Sequence, residues 1–355
     1  MTVRPRDDLA LRAGYHSPQL DVAVRLNTNE SPDGPPATWE RALIDEVLPS
    51  VDWNRYPDRG AHALRAAIAE LHGVAPAQVF PANGSNEVLQ TLLLTYGGPG
   101  RRALLWEPTY ALHSHLARIT GTEVVAGERG ADFALDVDTV LADLAAHEPS
   151  IVFLCSPNNP TGVVDDRSLV EAVVADASAR DALVVMDEAY GQFAPWSAVE
   201  LVADDAPLVV VRTFSKTWAM AAARLGYCVA PEAIVAALDE VVLPYHLDAF
   251  KQAAGVAALR FGDDMAARVE RLVAERERLI GRLRAAGVEV WPSGANFILF
   301  RPPADGRAVW QGLVDRSVLV RDCSSWPRLD GCLRVTIGTP DEDDRFIEAL
   351  EEVLA

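Results

Sequence analysis

Residues 208–216 read LVVVRTFSK, and this stretch decides the fold class. Its apolar opening, three of four residues valine, suits a short strand buried on both faces. It runs into Thr213, Ser215 and Lys216, an abrupt change to hydroxyl and amine chemistry. The same form recurs upstream. ALVVM at 182–186 runs into Asp187-Glu188-Ala189-Tyr190, and IVFLC at 151–155 runs into Ser156-Pro157-Asn158-Asn159-Pro160-Thr161-Gly162. ALLW at 103–106 is a further run of this kind. Between such runs lie helical segments such as AHALRAAIAELH (61–72), with Leu64, Ile68 and Leu71 at helical spacing. The alternation predicts an α/β fold with a mostly parallel central sheet. Ligands of open α/β sheets bind beyond the carboxyl ends of the strands, so an amide, a carboxylate, a phenol and an amine should converge there.

The last third is patterned differently. Residues 263–286 (DDMAARVERLVAERERLIGRLRAA) predict a long, charged amphipathic helix, followed by strand candidates at 288–291, 296–300 and 333–337. A terminal helix opens at Thr339-Pro340-Asp341-Glu342, with a hydroxyl cap, proline at the first helical position and glutamate at the third. The expected organisation is a large α/β domain over 33–245 and a smaller α+β domain built from 1–32 and 246–355.

Composition narrows the function. The mean hydropathy of +0.07 is that of an ordinary globular chain. No apolar run reaches the roughly 18 to 20 residues a membrane span needs. The opening MTVRPRDDLALRAG lacks the apolar core of a signal peptide, so a cytoplasmic protein is expected. A net charge of -19 argues against nucleic acid, and it means that any anionic ligand needs a few placed arginines to overcome the overall field. Cys155, Cys228, Cys323 and Cys332 form no C-x-x-C pair and read as reduced, mostly buried thiols. His113 and His115 have no third ligand nearby, so no metal site is expected.

Asp187 follows a run of apolar residues, and a buried carboxylate stays ionised only beside a cation. A protonated pyridine nitrogen is such a partner; a helix cap or a structural ion pair is the plainer alternative. Lys216 sits in a mostly apolar stretch where a lowered pKa would make it a Schiff-base nucleophile, although a lysine at a strand end is ordinarily a surface residue. Arg224, in Ala-Arg-Leu-Gly-Tyr, is a second cation that needs an anion, and a cofactor phosphate would satisfy it together with Ser215. Asn83-Gly84-Ser85-Asn86-Glu87 opens a helix after the apolar VFPA, a place where backbone amides bind phosphate and Gly84 lets the backbone come close.

With these residues in place, the chain resembles fold-type I pyridoxal-5′-phosphate (PLP) enzymes, and specifically the histidinol-phosphate aminotransferase family. The segments that carry the resemblance run along almost the whole chain. They begin at LRAGYHSPQLDVAVRLNTNESP (11–32) and continue through NRYPD (54–58), ANGSNE (82–87), EPTY (107–110), SPNNPTG (156–162) and DEAYGQF (187–193). SKTWAMAAARLGY (215–227), SGANFILF (293–300) and LRVTIGTPDEDDRF (333–346) complete them.

The resemblance implies roles. Lys216 would hold the cofactor covalently and then carry the proton between the substrate Cα and the cofactor C4′. Asp187 would pair with the pyridine nitrogen, Asn159 and Tyr190 would bond the ring hydroxyl, and Tyr110 would stack on the ring. Ser85, Asn86, Ser215 and Arg224 would cradle the phosphate. Tyr56 would reach the phosphate of a neighbouring subunit's cofactor, which implies a homodimer. Tyr15, Arg321 and Arg334 form the expected anion-binding set for a phosphorylated substrate. Of the tryptophans, Trp326 is the one close enough to Arg321 to reach a substrate pocket. Two departures from the family's usual pattern stand near the lysine: Ala-Ala-Ala before Arg224, and Thr-Trp directly after Lys216.

The implied activity is reversible transfer of an amino group between histidinol phosphate and glutamate/2-oxoglutarate. Aromatic amino acid transamination and phosphothreonine decarboxylation are the neighbouring alternatives on the same scaffold. A ligand-sensing regulator without catalysis would be expected to carry a basic DNA-binding segment, which neither the acidic charge nor the early start of the matching segments suggests.

Overall fold

The computed structural model describes Val3 and residues 18–355. Among these residues the strands are β1 (Val24–Leu26), β2 (Val79–Ala82), β3 (Arg102–Glu107), β4 (Glu123–Glu128), β5 (Ile151–Cys155), β6 (Leu183–Asp187), β7 (Leu208–Thr213), β8 (Gly226–Val229), β9 (Glu289–Val290), β10 (Phe297–Arg301), β11 (Val318–Asp322) and β12 (Leu333–Thr336). They form a seven-stranded sheet in the order β2-β8-β7-β6-β5-β3-β4 and a five-stranded sheet in the order β1-β11-β12-β10-β9.

The larger sheet is parallel from β4 to β7 and antiparallel at β8 and β2. Its central strands are buried along their whole length, as their unbroken valine, leucine and isoleucine runs require of strands covered on both faces. One face packs on the helix Ser85–Tyr96 through Val88, Leu89 and Leu92; the other packs on Val137–His147 and Arg167–Ala179 through Val140, Leu144 and Val173. This is the α/β layering expected from the alternating pattern.

The smaller sheet is antiparallel except where β1 pairs in parallel with β11. Helix Gly262–Ala285 covers it with Leu272, Leu279, Ile280 and Leu283, which recur at helical spacing on one face. The terminal helix Pro340–Leu354 starts with the predicted capping box. Thr339 Oγ1 accepts from the Glu342 amide at 3.3 Å, and Glu342 Oε2 accepts from the Thr339 amide at 2.9 Å. Helix Ala249–Leu259 packs on His62–His72, burying Ala254 and Ala258 with Leu64 and Ile68, so it lies beside the larger sheet. No helix among the described residues is long and apolar enough to cross a membrane.

Candidate active site

The carboxyl ends of β5, β6 and β7 open into a cavity of about 380 Å³, a size suited to a small organic ligand. Ser85, Asn86, Tyr110, Asn159, Asp187, Tyr190, Ser215, Lys216, Arg224 and Arg334 all line it.

At the end of β6, Asp187 is only 2 % exposed. Its Oδ1 accepts from the Ala189 amide at 3.1 Å, and its Oδ2 lies 2.9 Å from His113 Nε2. The His113 ring stacks on Phe153 at 4.8 Å and meets Tyr110 edge-on at 5.4 Å. His113 therefore holds the carboxyl from behind. The sequence had offered it only as half of an incomplete metal pair, and no metal-ligating cluster exists among the described residues.

The turn after β5 is fixed by Asn158, whose Nδ2 donates to Pro108 O at 3.0 Å and to Thr161 Oγ1 at 2.8 Å. That anchoring leaves Asn159 on the cavity wall, where its Oδ1 accepts from Arg334 Nη1. Arg334 also donates to Asn27 O at 3.1 Å, and it is 1 % exposed. Tyr190 OH accepts from Asn29 Nδ2 at 2.9 Å.

Lys216, just beyond β7, donates from Nζ to Asn29 O at 2.7 Å and to Thr28 O at 3.2 Å. Desolvation pulls its amine down to about 7; the guanidiniums of Arg334 and Arg224 act in the same direction, and Glu30 opposes them. A lysine so placed is a neutral nucleophile over much of the physiological range.

One end of the cavity is a cradle. The helix Ser85–Tyr96 begins there, with Gly84 as its cap at φ +79°. A Cβ on Gly84 would lie 2.8 Å from Arg224 Nη2, and one on Gly226 would lie 2.3 Å from the Ser85 nitrogen. Both positions need glycine for β8 and the arginine to close on the helix start. Ser215 Oγ accepts from Thr213 Oγ1 at 3.0 Å and from Arg224 Nη1 at 3.4 Å. Helix amides, hydroxyls and a guanidinium around one hollow are the donor set of a phosphate site.

The chain matches the family described as aminotransferase class I and II over residues 21–350. It is 47 % identical to a histidinol-phosphate aminotransferase of Frankia casuarinae, covering 98 % of this chain and 90 % of that one. A histidinol-phosphate aminotransferase of Thermobifida fusca is also 47 % identical, over 97 % of this chain and 94 % of its own.

The chain belongs to the histidinol-phosphate aminotransferase family.

Its fold is that of the family's solved members. The histidinol-phosphate aminotransferase of Sinorhizobium meliloti, solved in complex with pyridoxal-5′-phosphate, superposes with a TM-score of 0.85 at 26 % identity, covering 94 % of this chain and 91 % of that one. The fold is thus the fold-type I arrangement, and the chain is an aminotransferase.

Of the residues named from the sequence, Tyr56 and Arg321 stand apart from the cavity lining. Tyr15 lies outside the described residues. Tyr56 is 82 % exposed and stacks on Tyr245 at 4.6 Å. Arg321 is buried and is the register partner of Arg334 across β11 and β12. Conversely, Thr28, Asn29 and Glu30 line the cavity without having been singled out. Asn29 is a non-glycine residue at φ +55°, locked by Thr336, whose Oγ1 accepts from the Asn29 amide at 2.9 Å and donates to its Oδ1 at 3.1 Å. A polar N-T-N-E run closing a short strand was the available signal.

Proposed function

We propose that this chain transfers an amino group from L-histidinol phosphate to 2-oxoglutarate, giving imidazole acetol phosphate and glutamate, with PLP as cofactor. The residues present suit that cofactor: one cavity is lined by a helix start with Ser85, Ser215 and Arg224, drawn close by the glycines at 84 and 226, together with the carboxyl of Asp187 and the amine of Lys216. When bound, PLP supplies an electron sink for the carbanion left at the substrate Cα. The protein's residues do the rest. Ser85, Asn86, Thr213, Ser215 and Arg224 would hold the phosphate, and Asp187, backed by His113, would hold a proton on the pyridine nitrogen. Asn159 and Tyr190 would orient the ring hydroxyl, and Tyr110 would cover the ring face. Lys216 would bind the aldehyde carbon and, once displaced by substrate, take the proton from Cα and deliver it at C4′.

The observation that carries the choice of substrate is Arg334 on the cavity wall with Arg321 directly opposed to it on β11, two cations together in a protein of net charge -19. A phosphate ester is a fitting anion for two guanidiniums. Glutamate formation from 2-oxoglutarate is therefore expected to favour histidinol phosphate over phenylalanine, tyrosine and unphosphorylated histidinol by about tenfold or more in kcat/KM. Equal turnover of phenylalanine or tyrosine would instead assign the site to aromatic amino acids.

The working unit in this reading is a homodimer, with Tyr56 reaching the partner's cofactor phosphate. Exposed Tyr56, stacked on Tyr245, and exposed Leu243 and Tyr245, which line a groove of about 1110 Å³, support such an interface. The loaded protein should accordingly sediment at twice the 38.4 kDa of the chain; a single-chain mass would remove Tyr56 from the site. The division proposed from the sequence, 33–245 against 1–32 with 246–355, gives each sheet to one domain but assigns helix Ala249–Leu259 to the smaller one, whereas that helix packs beside the larger sheet.

The lowered pKa of Lys216 makes uptake of PLP by cofactor-free protein pH-dependent. The neutral amine reacts, and its fraction rises as pH climbs through the folded value of about 7. Uptake followed by visible absorbance is expected to rise about fivefold from pH 6 to 7 and to level off above about pH 8. A rate still climbing tenfold per unit at pH 9 would mean an ordinary lysine.

A further inference from the structure

Arg321 and Arg334 start from directly opposed positions on β11 and β12, an arrangement in which like charges repel. Both guanidiniums lie over one aromatic ring. Arg321 Cζ is 5.5 Å and Arg334 Cζ 5.9 Å from the ring centroid of Trp326, within range for a cation held by a π face. Trp326 belongs to the loop that joins the two strands, and that loop is held at several points. Cys323 N donates to Cys332 O at 3.0 Å, Trp326 N to Cys323 O at 3.0 Å, and Leu329 N to Trp326 O at 3.2 Å. Buried Cys323, Leu329 and Cys332 pack with Phe133, Trp291 and Leu299, and Trp326 rests against that cluster. Arg328 extends from the same loop to donate to the carbonyls of Arg129 and Gly130, which follow β4 of the larger sheet. The ring is therefore fixed in place independently of the two cations it meets.

We propose that Trp326 is a positioning residue that sets specificity for a phosphorylated substrate by holding Arg321 and Arg334 side by side on its ring. The proposal rests on the phosphate-ester reading above and deepens it. A carboxylate has two oxygens and is satisfied by one bidentate guanidinium. A phosphate ester presents three terminal oxygens and more charge, and it gains from two guanidiniums presented together. Arg334 is also held by Asn159, by Asn27 O and by the Phe297 ring at 5.0 Å, so removing the Trp326 ring chiefly lets Arg321 move away from it, which costs the phosphate ester more than it costs glutamate.

The test uses the PLP-loaded enzyme. Trp326→Leu is expected to raise KM for histidinol phosphate about tenfold, equivalent to about 1.4 kcal/mol, with kcat within about twofold of the wild type and KM for glutamate within about threefold. Trp326→Phe keeps a π face and should recover most of the loss. Inorganic phosphate is the second probe: as a competitive inhibitor of the glutamate half-reaction, it should weaken in Trp326→Leu by a similar factor. Equal losses for histidinol phosphate and glutamate, or an unchanged phosphate inhibition constant, would overturn the proposal. Should the leucine variant not fold, Trp326→Phe carries the same comparison at about two- to threefold amplitude. A wild-type enzyme that ignored histidinol phosphate would remove the substrate reading alone, because the phosphate inhibition reads the role of the ring separately.

Discussion

Replacing Lys216 by alanine is expected to lower the transamination rate at least about 10⁴-fold and to abolish the visible absorbance of the cofactor bound to its lysine. Two functions are lost together. In the proposed mechanism the side chain would be both the amine that captures the aldehyde and the base that moves the proton between Cα and C4′. Its setting argues that no neighbour can replace it: Nζ rests on the carbonyls of Thr28 and Asn29, and the other basic side chains of the cavity, Arg224 and Arg334, are guanidiniums, which do not serve as Schiff-base amines. Lys216→Arg should be as inactive as alanine for the same reason, although it keeps a long basic side chain. Residual activity above about one per cent in either variant would mean that another group carries the proton.

The second large effect is expected at Asp187. In Asp187→Asn the cavity shape is retained, and Oδ1 can still accept from the Ala189 amide, but the side chain no longer offers a charge to a protonated pyridine nitrogen. A charge pair at 4 Å in surroundings of effective dielectric 20 is worth about 4 kcal/mol, or about 10³-fold in rate. The variant should still take up PLP through the phosphate cradle and Lys216, so the loss should fall on kcat and leave cofactor absorbance in place. His113→Phe makes a useful comparison. His113 acts through Asp187 at 2.9 Å from its Oδ2, so the expected loss is smaller, about tenfold. An Asp187→Asn enzyme within tenfold of the wild type would separate this carboxyl from the ring nitrogen.

Much of this arrangement can be read in the chain because buried parallel strands announce themselves. β5, β6 and β7 are runs of apolar residues that end abruptly in polar ones, so the sequence marks both the strand and the place where its functional group emerges. β4 was not visible for the opposite reason. It is an edge strand, EVVAGE, with glutamates at both ends and a glycine inside, and only half of each residue pair is shielded. β8, GYCV, was hidden inside the motif around Arg224, since four residues led by glycine give no periodicity.

Within the site, legibility follows sequence proximity. Lys216, Asp187 and Asn159 each sit within four residues of a strand end. His113 meets Asp187 across 74 residues from the face of a helix, and nothing local distinguishes it from His115 two positions on. Asn29 serves the lysine through its backbone carbonyl, a contact that its side-chain chemistry does not advertise, and its left-handed φ is set by distant Thr336. Trp326 was legible as a neighbour of Arg321, whereas its contact with Arg334 depends on the pairing of β11 with β12.

The most direct test of the account is chemical. The purified protein, loaded with PLP, should be reduced with borohydride, digested, and its peptides weighed. The account predicts one phosphopyridoxyl group per chain, attached to Lys216. Its attachment to Lys251, or its absence from the chain after saturation with PLP, would contradict the assignment on which every other role here depends.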